Sequence, residues 1–162
     1  TLMTFLTEIL QFTVLIPAAI LALLPLKNKL RYSGAKVAGL VALALGCLIP
    51  FCGLVVAKTE MPVNYMLFPL MAVLYLCYHI VSTVSVGVDL SIYLFVIALM
   101  SFPANFAVAI DCQVHPTARL SDPCFLTSAC QVGFSFLFLL LFFWFFWHIL
   151  GFLVDNISAP NV

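Results

Sequence analysis

SACQVGFSFLFLLLFFWFFWHILGFLVDN, residues Ser128 to Asn156, holds no proline, and no Asp, Glu, Lys or Arg precedes Asp155 in it. An apolar run of about 20 residues crosses a bilayer as an α-helix. This run is longer, and it passes through Trp144, Trp147 and His148 before it meets a charge. It predicts a last membrane helix that runs unbroken and carries the chain out of the bilayer.

Working outward, the rest of the chain has the same character. Of its 162 residues, 65% are apolar and 7% are charged, and the mean hydropathy is +1.25. Soluble domains carry roughly 25% charged residues, so no soluble core could use this much apolar surface. The fold class expected is an all-α membrane protein, one bundle of five transmembrane helices in a single domain over residues 1–162. The spans fall at about 2–26, 35–57, 62–84, 90–110 and 125–153. The alternation of a membrane β-barrel is absent, and so are the charged n-region and cleavage site of a signal peptide. Without an initial Met and with the ending NISAPNV, the chain reads as a fragment of something longer.

Orientation follows the positive residues of short loops. The first loop holds Lys27, Lys29, Arg31 and Lys36, which predicts that it faces the cytoplasm. The N-terminus is then outside and the C-terminus cytoplasmic, in a multi-pass protein of the cell membrane. Trp144 and Trp147 then fall near the inner interface, where indole rings prefer to lie.

Each of the first four spans holds an internal proline, Pro17, Pro50, Pro69 and Pro103, and the fifth holds none. Proline removes a backbone donor and crowds the preceding turn, so these are the expected kinks. They are either the ordinary prolines of membrane helices or bends that open a cavity toward the outer face. The second span carries Gly39, Gly46 and Gly53 at heptad spacing, the pattern of a close packing seam.

Ionisable residues inside a membrane are expensive and therefore informative. Glu8, with Gln11 on the same helical face, lies in the outer half of the first span. Asp111 ends the fourth span on that side, with Asn105 about two turns deeper. Together they are candidates for sensing a small ligand or peptide; the bland alternative is that Glu8 and Asp111 are interfacial and wet. His79, near the inner end of the third span among Tyr75, Tyr78 and Ser82, reads first as a packed, hydrogen-bonded histidine.

Of the six cysteines, Cys47, Cys52, Cys77 and Cys130 fall inside spans, where a thiol behaves as a small hydrophobe. Cys112 and Cys124 bracket the loop DCQVHPTARLSDPC. If the outside is oxidising they are candidates for a disulfide, worth roughly 3 kcal/mol in the chain-entropy picture. Cys112, His115, Asp122 and Cys124 match no standard zinc spacing, so no metal is expected. No phosphate loop, HExxH, GxSxG or dinucleotide fingerprint occurs, so these residues imply neither catalysis nor a cofactor. No basic stripe points to nucleic acid.

Three stretches carry a family likeness: LPLKNKLRYS (Leu24 to Ser33), SFPANFAVAIDCQVHP (Ser101 to Pro116) and HILGFLVDN (His148 to Asn156). The order Asn105, Phe106, Ala107, Asp111, His115, Pro116 is its most specific part. Together they resemble the N-terminal membrane region of bacterial GHKL-type sensor histidine kinases, over essentially the whole chain. The family's linker, phosphoacceptor helix and ATP-binding motifs are missing. The resemblance implies a sensor module of a two-component system, which detects an outside or intramembrane signal and transmits it through the last helix. It adds His115 to the sensing candidates. It implies a homodimer through the last helix and its cytoplasmic continuation, a response regulator as partner of the kinase domain, and the lipid bilayer as surroundings. Two other readings stay open: a small transporter or channel subunit, whose path would need His79 and Asp89 as inner partners, and a structural or assembly subunit.

Overall fold

The computed structural model describes residues 2–114 and 125–157. These are helical almost throughout, with no strand among the described residues beyond one isolated antiparallel bridge, Leu30 to Ser82. The order is α1 (Leu2–Thr13), α2 (Leu15–Leu23), a 3-10 turn (Leu24–Leu26), α3 (Gly34–Thr59), α4 (Val63–Val81), α5 (Val86–Val114), α6 (Phe125–Trp144), a π turn (Phe145–Leu150) and α7 (Gly151–Ile157). Five stretches are long and apolar enough to cross a membrane: Phe5–Leu26, Gly34–Thr59, Val63–Val81, Val86–Ile110 and Leu126–Ile157. They coincide with the five expected spans. The third ends at Val81 rather than at 84 and the fourth starts at Val86 rather than at 90. The carbonyl of Ser85 accepts from the N–H groups of Val88 and Asp89, so helix begins before Asp89 and not after it.

The prolines act differently from one another. At Pro17 the first span divides: α1 stops at Thr13 and α2 begins at Leu15. Pro17 has no N–H for the Thr13 carbonyl, and the bond from Ala18 N–H to Val14 O is long at 3.4 Å. The helices α3, α4 and α5 run on through Pro50, Pro69 and Pro103. The last span, without proline, is where an unbroken α-helix was expected, and it is interrupted by the π turn Phe145–Leu150. The cause lies in tertiary contact, set out below.

The first span forms the centre. α1 packs against α3 and α6, α2 packs against α5 and α6, and α5 lies along α6. α4 sits at the rim: 11% of its apolar window is buried, against 39% for the first span. One core cluster, around Leu21, Leu26, Tyr78, Ile92, Phe146 and Val154, gathers where the α2–α3 loop and the α4–α5 turn meet α7. This is called the first-loop end. The other cluster, around Phe12, Leu15, Ile49, Cys52, Val56 and Leu70, holds the opposite end. The outward surface is strongly apolar, with Phe68 78% and Leu140 74% exposed. Such a surface is compatible with contact with lipid chains.

The glycine seam of α3 is shorter than the heptad spacing predicts. A Cβ on Gly53 would lie 3.0 Å from Ile9 Cγ1 and 3.3 Å from the Ile9 backbone nitrogen, so α1 and α3 touch closely there. Gly39 and Gly46 have nothing within 4 Å. The two helices diverge toward the first-loop end, leaving a groove of about 850 Å³ over Gly34, Ala38, Ala42 and Gly46.

Candidate functional site

Asp89 is the most deeply buried charged residue of the described chain, at 0% exposure. It sits in the first turn of α5, where a carboxylate is favoured by the unpaired N–H groups and dipole of the helix start. Tyr75 of α4 donates its hydroxyl to Asp89 Oδ1 at 2.9 Å. His79, one turn further along α4, meets Asp89 Oδ2 through Nδ1. The short α4–α5 turn makes this meeting possible, because it sets the last turn of one helix beside the first turn of the next. The His79 side chain is 40% exposed, so the pair joins a fully buried carboxylate to an imidazole that reaches the surface. Tyr75 stacks on His79 and packs against Tyr93, which in turn packs against Tyr78. The two remaining phenols are satisfied by backbone: Tyr78 donates to Ala22 O at 2.7 Å and Tyr93 to Met71 O at 2.6 Å.

From this hub, hydrogen bonds lead to the first loop. Arg31 N–H donates to Val81 O at 2.8 Å, and Thr83 N–H donates to Lys29 O at 2.9 Å. The Thr83 hydroxyl donates to Lys29 O as well, at 2.7 Å. These bonds form the Leu30–Ser82 bridge and stitch the two loops together.

The first loop also grips the last span. In an α-helix the N–H of Gly151 would pair with the carbonyl of Trp147. Here it turns to Phe146 O and His148 O, which leaves the Trp147 carbonyl open. Lys27 Nζ donates to that carbonyl and lies 4.7 Å from the centre of the Trp147 ring. The extra residue of the π turn follows from packing. Phe146 is fully buried against Phe95, and the next buried position is Gly151, five residues on. An α-helical step of four would have placed Leu150 there. Lys27 Nζ occupies the space a Cβ on residue 151 would need, so a side chain there would push the lysine tip aside. Next to this contact, Asn28 Nδ2 donates to Asp155 Oδ2 at 3.0 Å.

The residues singled out from sequence are placed as follows. Glu8 is 5% exposed on α1, and its Oε2 has no hydrogen-bond partner. Gln11 is half-buried and lines a central cavity of about 750 Å³, together with Asn64, Ser101 and Gln131. Asn105 is exposed on α5, so it does not share the buried setting of Glu8. Asp111 and Cys112 belong to the last turns of α5, but their side chains lie outside the described residues, as do His115 and Cys124 whole. The sensing role of Asp111 and His115 and the pairing of Cys112 with Cys124 therefore fall outside the described structure. Cys47, Cys52, Cys77 and Cys130 are free thiols.

No match is found among family models, curated proteins or solved structures. The site must be judged by its own chemistry. A carboxylate removed from water needs a partner, and losing one member of such a pair strands the other. The His79–Asp89 pair ties the last turn of α4 to the first turn of α5, and the Leu30–Ser82 bridge ties that end to the loop that holds Trp147. Sequence reading took His79 first as a packed, hydrogen-bonded histidine and named Asp89 with it only as an inner partner of a transport path; it did not pair the two. The available signal was positional, a histidine ending one apolar helix and an aspartate opening the next.

Proposed function

We propose that this chain is the signal-input module of a membrane receptor of the sensor-kinase type. The first loop faces the cytoplasm, in keeping with its lysines and arginine, and the last span is the output element. The observation that carries this reading is the grip of Lys27 and Asn28 on Trp147 and Asp155, made where the last span leaves α-helical geometry. π turns mark places where a helix can change register. A signal that shifts α4 against α5 would act on His79–Asp89, then on the stitched loops, then on the register of the exit helix. It does so only by binding two arrangements unequally. The resemblance in Leu24 to Ser33, Ser101 to Pro116 and His148 to Asn156 supports a GHKL-type histidine kinase as the parent, a homodimer joined beyond α7, and a response regulator as its client.

The test begins with the gene. An in-frame ATP-binding kinase domain beyond the Val162 codon is expected, and a stop codon there overturns the proposal. In the intact protein reconstituted in vesicles, Lys27→Met should change basal autophosphorylation several-fold; unchanged phosphorylation would remove the grip from the signalling path.

A transporter remains the second reading, because one observation favours it. The central cavity runs from the polar group Gln11, Asn64, Ser101 and Gln131 to Tyr78 and Tyr93, whose rings pack onto the Asp89 hub. Solute-driven proton movement in vesicles holding the chain alone would support it, and its absence would leave the sensor reading in place.

A further inference from the structure

The central cavity has a second end, and its chemistry differs from the first. Toward the first-loop end it is walled by Leu40, Leu74, Tyr78 and Ile80, with Lys36 and Tyr32 at its mouth. Lys36 is the one charged residue of the lining. Its Nζ stands 4.8 Å from the centre of the Tyr32 ring, and among the described residues it pairs with no carboxylate. The volume, about 750 Å³, falls within the range of about 300–1,000 Å³ typical of small-molecule sites.

The cavity opens sideways. α4 touches α3 and α5 only lightly, and Leu40 on α3 and Ile80 on α4, which both line the cavity, are 45% and 56% exposed. In the orientation proposed above, that gap faces the acyl chains of the inner leaflet, and Lys36 stands at headgroup depth. Lys27, Lys29 and Arg31 add positive charge to the same end. Such clusters attract anionic lipid.

We infer that this cavity is a binding site for one anionic phospholipid, with its phosphate on Lys36 beside Tyr32 and one acyl chain lying between α3 and α4. The lipid fills the space that the thin packing of α4 leaves and joins α4 to the rest of the bundle. Its binding concerns the cavity alone and does not require that the chain belong to a kinase.

The test is native mass spectrometry of the purified chain released from micelles supplemented with phosphatidylglycerol or with phosphatidylcholine. One phosphatidylglycerol per chain should be retained, at least about tenfold more than phosphatidylcholine, whose choline cation cancels the headgroup charge that Lys36 and its basic neighbours attract. Lys36→Gln should bring phosphatidylglycerol down to the phosphatidylcholine level, while Lys29→Gln, outside the cavity, should have the smaller effect. Ala44→Trp, which fills the cavity wall, should exclude both lipids; Cys47→Trp on the outward side of α3 should not, which separates blocking from misfolding. Equal retention of the two lipids, equal effects of Lys36→Gln and Lys29→Gln, or lipid-free dimers showing that a second copy covers the gap would each overturn the assignment.

Discussion

Among the described residues two carboxylates are buried, and they are treated in opposite ways. Asp89 has a partner for each oxygen, Tyr75 on one and His79 on the other. Glu8, on the central span and 5% exposed, has an oxygen with no partner. Both are buried within the bundle, so neither can rely on water. The difference teaches where the fold is committed and where it is not. Asp89 joins two helices and, through the stitched loops, a third; without it that end loses its organiser. Glu8 joins nothing through Oε2, and the opposite end is held by apolar packing, chiefly Phe12, Ile49 and Val56 and the close approach of Gly53 to Ile9.

The largest expected effect breaks the committed side. Asp89→Ala strands His79 and Tyr75 and should destabilise the bundle by about 3 kcal/mol, the low end for breaking a buried pair. The low end applies because the imidazole is 40% exposed and can be solvated in part. Unfolding in mixed micelles, followed by circular dichroism, would measure it. A loss no larger than that of an exposed substitution such as Asn105→Ala would mean that Asp89 is not the organiser. Lys27→Met comes next. It removes the donor to the Trp147 carbonyl, a charge-assisted bond in an exposed setting, so the expected loss is about 1.5 kcal/mol. A shift in tryptophan emission should accompany it. If the π turn relaxes to α-helix instead, the stability loss shrinks and amide exchange at Gly151 slows, which would show that Lys27 maintains the turn. Third is Tyr78→Phe. The lost bond to Ala22 O is neutral and buried, worth about 1 kcal/mol, and the packing against Tyr93 is kept.

The contrast between the two carboxylates also marks what was legible in the sequence. Five helices were readable because length and hydropathy are local properties, and each span carries them by itself. The missing N–H at Pro17 was readable for the same reason, but nothing local set it apart from Pro50, Pro69 and Pro103, through which the helices run on. The extension of α5 back to Val86 was not readable, because Ser85, Gly87 and Asp89 look like a loop until Asp89 finds Tyr75 and His79. The grip on the last span was further out of reach. Lys27 and Gly151 lie 124 positions apart, and nothing in FFWHILG distinguishes a π turn from an α-helix until Phe146 is seen against Phe95. Glycine at heptad spacing overstated the α3 seam, because spacing shows which residues share a face and not how much of that face a neighbour covers.

The smallest expected effect sharpens the uncommitted side. Glu8→Met keeps the length of the side chain and removes a buried oxygen that has no donor, so stability should be unchanged or rise by about 1 kcal/mol. A polar atom buried without a partner is a cost to folding, and a fold that keeps one at its centre has a use for it or has found it tolerable. The two cases separate in one experiment. Micelle unfolding of Glu8→Met alone reports the cost, and, under the proposed sensor function, the change in signal response reports the use. A stabilised protein that still responds would make Glu8 a tolerated defect of apolar packing. A stabilised protein that no longer responds would make it the place where the signal enters, with Asp89 as the place where it is converted into the position of a helix. A strongly destabilised protein would contradict the comparison itself, since it would require Glu8 to hold a partner as firmly as Asp89 does.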